Sequence, residues 1–197
     1  MSKKAFEALQ ARRTGGTPTQ TPAAAKTTNK QAQKAVRTNT QPGLPSTPKP
    51  PDLKPLLAGL SDVGRTWTLL MPYVEKMLNS NQRHDHWSDE DKIRRRLRTH
   101  AAQMAIALRL PRLNRAAIFY VLHPRPIGRK RDPGNWSPTA KAYIDGLVTP
   151  NPDRPGEHLL LPDDDHEHLV GPFSAMGAPV TTGYARMTLV IAELTNP

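Results

Sequence analysis

The chain has 197 residues, enough for one domain and an extension. Its 28 Lys and Arg against 17 Asp and Glu give a formal net charge of +11, which favours an anionic partner, nucleic acid before a membrane surface. Without cysteine there are no disulfides or thiolate zinc sites, and with neither an apolar leader nor a bilayer-length apolar run the expected protein is soluble and cytoplasmic, with no membrane partner.

Residues 1–55 are rich in Thr, Pro, Ala, Gln and Lys, and their bulky apolar residues, among them Phe6, Leu9, Val36 and Leu44, are scattered. Such a segment buries too little surface to offset its ordering entropy. Disorder is expected there, apart from a short helix over 3–12. The segment holds 10 Lys and Arg and two acids, Glu7 and Asp52, a net +8 that leaves +3 of the chain's charge for the rest. It reads either as an arm making nonspecific phosphate contacts or as a solubilising extension. The expected division is a disordered basic tail over 1–60 and a folded domain over 61–197.

Thr66–Met71 is β-branched and aromatic and stops at Pro72, which predicts a strand. Asn79–His86 is polar and reads as a loop. Ser88 has the character of an N-cap, followed by Asp89, Glu90 and Asp91. Ile93, Leu97, Ala101, Ala105 and Leu108 then recur at near-helical spacing, with the helix expected to end near Leu110. Arg94, Arg95, Arg96 and Arg98 fall largely off that stripe, as a DNA-facing or a solvated face. Ala117–Leu122 predicts a second strand, Pro138–Val148 a short helix, Leu159–Leu161 a brief strand, and Tyr184–Leu194 a last strand. The order implies an α/β (α+β) domain, a small mixed sheet with packed helices.

The chemistry concentrates in an acidic stretch of this basic chain. Arg129, Lys130, Arg131 and Asp132 lead into Pro133-Gly134-Asn135-Trp136. Lys141 and Asp145 follow, then Asp163, Asp164 and Asp165. Carboxylates among Lys and Arg suit a metal-dependent nuclease: the acids hold a hard cation and the bases hold phosphates. Pro-Gly and Asp-Asp-Asp also read as turn chemistry on a solvated loop. His84, His86, His166 and His168 with Glu167 invite a zinc reading, although their pairs lie far apart in sequence. Trp67, Trp87 and Trp136 read as packing residues or as platforms for bases.

Three stretches together resemble the RusA-like Holliday junction resolvases of bacteria and their phages. Asn79-Ser80-Asn81-Gln82-Arg83-His84-Asp85-His86-Trp87 is similar to that family's loop after its first strand. Arg131-Asp132-Pro133-Gly134-Asn135 with Lys141 and Asp145-Gly146-Leu147 is similar to its central pattern. Leu161-Pro162-Asp163-Asp164-Asp165 before Leu169-Val170 looks like its acidic turn into a strand. The resemblance implies a Mg2+-dependent endodeoxyribonuclease, with Mn2+ as an alternative ion. It would act as a homodimer on four-way DNA junctions in recombination, repair or phage DNA processing.

Carried over to this chain, Asp132, Asp164 and Lys141 are the catalytic residues. Asp132, Asp164 and Asp165 are the candidate metal ligands, with Asp164 favoured within the acidic triplet. Arg129, Lys130, Arg131, Asn81, Arg83 and His86 are the candidate DNA contacts. One position departs from the pattern: Gly134 stands where the family has an aspartate. The same resemblance therefore admits a DNA-junction-binding protein whose catalysis is impaired at Gly134, with Asp145 or a triplet residue as a substitute carboxylate.

Overall fold

The computed structural model describes residues 45–82, 87–126, 131–151 and 157–195. It is a mixed α+β fold. Four strands, β1 (Val63–Leu70), β2 (Ala116–Leu122), β3 (Leu169–Met176) and β4 (Met187–Leu194), form one sheet in the order β1-β4-β2-β3. β4 runs antiparallel to both β1 and β2, and β2 is parallel to β3. Among the described residues the helices are α1 (Leu53–Leu57), α2 (Trp87–Ala107) and α3 (Ser137–Leu147), with a 3-10 turn over Pro133–Trp136.

β2 reads as an unbroken apolar run because both of its faces are buried. Alternation along the strand divides its side chains between two cores. Ala116, Ile118, Tyr120 and Leu122 join Met187, Leu189 and Ile191 of β4 beneath α2 and α3. Ala117, Phe119 and Val121 join Val190 and Ala192 on the opposite face.

Leu53, Leu56, Leu57 and Leu60 pack on that opposite face. Thr181 donates its backbone N–H to the Pro45 carbonyl (3.1 Å), and the Thr182 hydroxyl donates to the Ser46 carbonyl (2.6 Å). The folded chain therefore begins by residue 45, ahead of the expected boundary after residue 60. The Pro- and Thr-rich composition hides a leucine patch that a two-sided sheet needs as its cover. The expected helix over 3–12 and the rest of 1–44 lie outside the described residues.

α2 begins at Trp87, so Ser88 lies inside it rather than at its N-cap. It ends three residues before Leu110. Arg109 takes a positive φ of 49°, and the Leu110 N–H turns back to the Ala105 carbonyl (3.0 Å), a left-handed closure that Pro111 seals. Leu97, Ala101 and Ala105 are its buried stripe, as the spacing predicts. Arg94 pairs with Glu90 (2.5 Å) and Arg95 with Asp91 (2.6 Å) one turn earlier, so those two arginines belong to a solvated, ion-paired face.

Leu159–Leu161 is a correction. These leucines are buried, but the segment is no strand. Its backbone N–H groups go to the end of α3, Leu159 to the Thr149 carbonyl (3.1 Å) and Leu160 to that of Leu147 (3.0 Å). The next strand comes later, as β3, entered from the acidic turn and interrupted by Gly171-Pro172. The β2–β3 register shifts between Ala117 and Phe119, and an edge strand tolerates proline at such a bulge.

Candidate functional site

The loop after β1 and the Asp132 turn are far apart in sequence and meet in space. Ser80 donates its backbone N–H to the Asn135 carbonyl (2.8 Å), and the buried Thr139 hydroxyl donates to the Leu78 carbonyl (2.8 Å). Asn79 shapes its loop by accepting from the Asn81 N–H (2.9 Å). Arg83 and His86 lie outside the described residues, as do His84, Arg129 and Lys130. Arg131 is described, with its guanidinium over the Tyr184 ring, 5.7 Å from the centroid.

Asp132 caps the 3-10 turn, its Oδ1 accepting from the Gly134 N–H at 2.8 Å. Its side chain is thus oriented by the turn that follows it. A Cβ built on Gly134 would lie 3.1 Å from Asp132 Oδ1. The turn that glycine occupies therefore faces the carboxylate, and an aspartate there would set two acids side by side.

From this turn α3 carries Lys141 and Asp145 one helical turn apart. Lys141 Nζ donates to Asp145 Oδ1 (2.6 Å) and also contacts Asp164 Oδ2. Asp145 accepts in addition from Arg98 of α2, Nε at 3.1 Å and Nη2 at 2.5 Å. The result is a chain Arg98–Asp145–Lys141–Asp164 with two charges of each sign. Burial works against ionising Asp145, but the hydrogen bonds from Lys141 and Arg98 outweigh it and hold its carboxyl below the ordinary aspartate range. The position of Gly146 explains how Arg98 comes so near. A Cβ on Gly146 would overlap the Arg98 carbonyl, so only glycine lets α3 press against α2 there. Beside this chain a cavity of about 650 Å³ is lined by Arg94, Arg98, Lys141 and Asp145 among others.

The acidic triplet separates into three roles. Asp163 Oδ1 accepts from the Asp164 N–H (2.7 Å). Asp164 meets Lys141. Asp165 Oδ1 accepts from the N–H groups of Glu167 and His168, both at 3.0 Å. Asp165, Glu167 and His168 bring one ligand atom each to within 4.8 Å of one another, the one such group of three among the described residues. His168 Nδ1 bonds the Asn114 carbonyl (2.8 Å), which leaves Nε2 as the ring's ligand atom. Asp165, a candidate ligand from sequence, thus belongs with an imidazole rather than with Lys141, and His166 is not part of the group.

Of the tryptophans, Trp136 is 8% exposed and stacks on Tyr184 with ring centroids 5.1 Å apart, and Trp67 packs against the core. Trp87, at 75%, is exposed. The sequence puts Arg98 on a DNA-facing or solvated helix face, not beside Asp145, and gives Tyr184 no place in the site. The i, i+4 spacing of Lys141 and Asp145 was a usable signal for that ion pair, whereas nothing local points to Arg98. No protein-family model matches the chain, and no curated protein matches it. No helix among the described residues is long and apolar enough to cross a membrane.

Proposed function

We propose that the chain is a Mg2+-dependent, structure-selective endodeoxyribonuclease of the RusA-like kind, acting as a homodimer on four-way DNA junctions. The observation that carries this reading is the contact between Lys141 and Asp164. It joins the helix that follows Asp132 to an acidic turn more than twenty residues further on, so that acids and a lysine from two motifs share one region. Mg2+ is commonly held by one or two carboxylates, the remainder of its shell being water and substrate phosphate. Asp132 and Asp164 are donors of the right kind for it, and Mn2+ would suit the same oxygens.

Such an ion would supply Lewis-acid activation of the scissile phosphate and of a water. The chain's own residues would divide the remaining work. Asp132 is held in orientation by the Gly134 amide. Asp164, relieved of Lys141 when it takes a cation, would leave that ammonium to stabilise charge on phosphate. Asp145, itself anchored by Arg98, would keep Lys141 in place. Arg131, in a stretch that continues back through Lys130 and Arg129, would hold a flanking phosphate, a contact that positions without reading sequence.

A second reading is favoured by Gly134: a junction-binding protein that has lost cleavage because one carboxylate is missing beside Asp132. One experiment separates the two. An end-labelled four-way junction is incubated with the protein beside a linear duplex of the same arms, with Mg2+ and with EDTA. Paired nicks in the junction alone, abolished by EDTA and by Asp132→Asn, are expected of the nuclease. Tight junction binding without nicks would establish the second reading, and no preference for the junction would overturn both.

A further inference from the structure

A second cavity, of about 360 Å³, is lined by Arg131 and Asn135, which flank Asp132 in sequence, and by Arg125, Asn81, Trp136 and Tyr184 among others. Its volume is near the lower end of the ~300–1,000 Å³ in which small-molecule sites fall. Its lining includes three cationic side chains, Lys76, Arg125 and Arg131, against one acid, Glu75. The stacked rings of Trp136 and Tyr184, only 8° from parallel, give it an aromatic wall. The Arg131 guanidinium over Tyr184 marks a ring-facing position for a planar group. Arg125 is pre-positioned, its Nε donating to the Gly183 carbonyl (3.1 Å) beside Tyr184, and Gly183 permits that approach because a Cβ there would overlap the Pro124 backbone. Side-chain amides from Asn79, Asn81, Gln82 and Asn135 complete the lining with groups that both donate and accept.

Cations, amides and stacked rings in one cavity suit a nucleotide whose base is unpaired. We infer that this cavity receives one unstacked deoxynucleotide of the DNA substrate, its base displacing the Arg131 guanidinium from the Tyr184 ring and its phosphate held by Arg125 and the released Arg131. The inference rests on the DNA-junction reading above but not on catalysis. It also assigns Arg125 and Tyr184, which the sequence left without a role. A base held here is withdrawn from its stack next to the turn that carries Asp132.

The test uses the full chain and a synthetic four-way junction carrying 2-aminopurine at the branch point, with a control junction labelled in mid-arm, in EDTA so that nothing is cut. A severalfold rise in emission at the branch point but not in the arm is expected. Arg125→Gln and Asn81→Ala, both exposed positions, should each remove most of that rise while the affinity in gel shifts falls by less than about tenfold. Binding without any rise, or a rise that both variants leave intact, would overturn the inference while leaving the junction reading standing. Absence of junction binding by the unaltered protein would overturn both.

Discussion

Asp145 shows how one side chain can be fixed by its neighbours' charge. Two cations hold it ionised, so its folded pKa lies below the unfolded value of about 3.9. A depressed carboxyl stabilises the fold at all pH values above that figure, and the contribution is lost as pH falls through the folded pKa. Asp145→Asn should therefore flatten the acid limb of the stability curve below about pH 4. At neutral pH it should cost only about 1 kcal/mol, because Arg98 and Lys141 are themselves about half exposed. Urea melts across pH 2.5–7 for the two proteins check both points.

Gly134→Asp is expected to behave in the opposite way. It sets a like charge against Asp132 and should lower stability by about 1 kcal/mol in EDTA. The loss should be recovered, with a rise in melting temperature, when Mg2+ is added, whether or not cleavage appears. Thermal melts with and without the ion are the measurement. At this scale the sequence was partly legible. Asp132, Lys141 and Asp164 stand out by type and order, and the structure joins Lys141 to Asp164. The quenching of Asp145 by Arg98 was not legible, because it depends on a helix crossing between residues 47 positions apart.

Among the elements, α2 and α3 meet through Gly146. Alanine is the better helix former by about 1 kcal/mol, so on propensity alone Gly146→Ala would stabilise α3. The crossing reverses the sign: the added methyl must push α2 away, and overpacking of this kind costs about 1–3 kcal/mol. Equilibrium denaturation should show net destabilisation, and the displaced Arg98 should weaken its hold on Asp145. The strands were legible where their chemistry is uniform, as in the all-buried Ala116–Leu122. β3 carries glycine, proline, serine and exposed Phe173 and Met176, the signature of an edge, and propensity alone does not find it. Leu159–Leu161 misled for the converse reason. Three consecutive leucines mark burial, and burial alone does not distinguish a strand from a segment pinned under a helix end.

For the whole molecule, the basic excess and the cover of the sheet fall in successive stretches of the chain. Residues 1–44 carry eight Lys and Arg and a single acid, whereas residues 45–60 cover the second face of the sheet. Two truncations should consequently fail differently. Removing 1–44 should leave the melting temperature within a few degrees and reduce the slope of log affinity for DNA against log salt, by roughly 0.9 for each phosphate that the arm had neutralised. Removing 1–60 should expose Phe119, Val121 and Val190 and lower the melting temperature substantially or cause aggregation. Calorimetry and salt-dependent gel shifts distinguish the two. Composition had drawn this boundary too late, since a leucine cluster of four residues is invisible against a background of Pro and Thr.

β4 is the last strand in chain order yet lies between β1 and β2. As the chain leaves the ribosome, Asp132, Lys141 and Asp164 are all synthesised before the strand that closes the sheet beneath them. Any product that stops short of residue 187 leaves β1 and β2 without their common neighbour. Its two cores then have no shared wall, and the longest-range pairings, slow to form in any case, never arrive. The Lys141–Asp164 contact is in this way tied to translation of β4, and a chain stopped before that strand is expected to be unfolded.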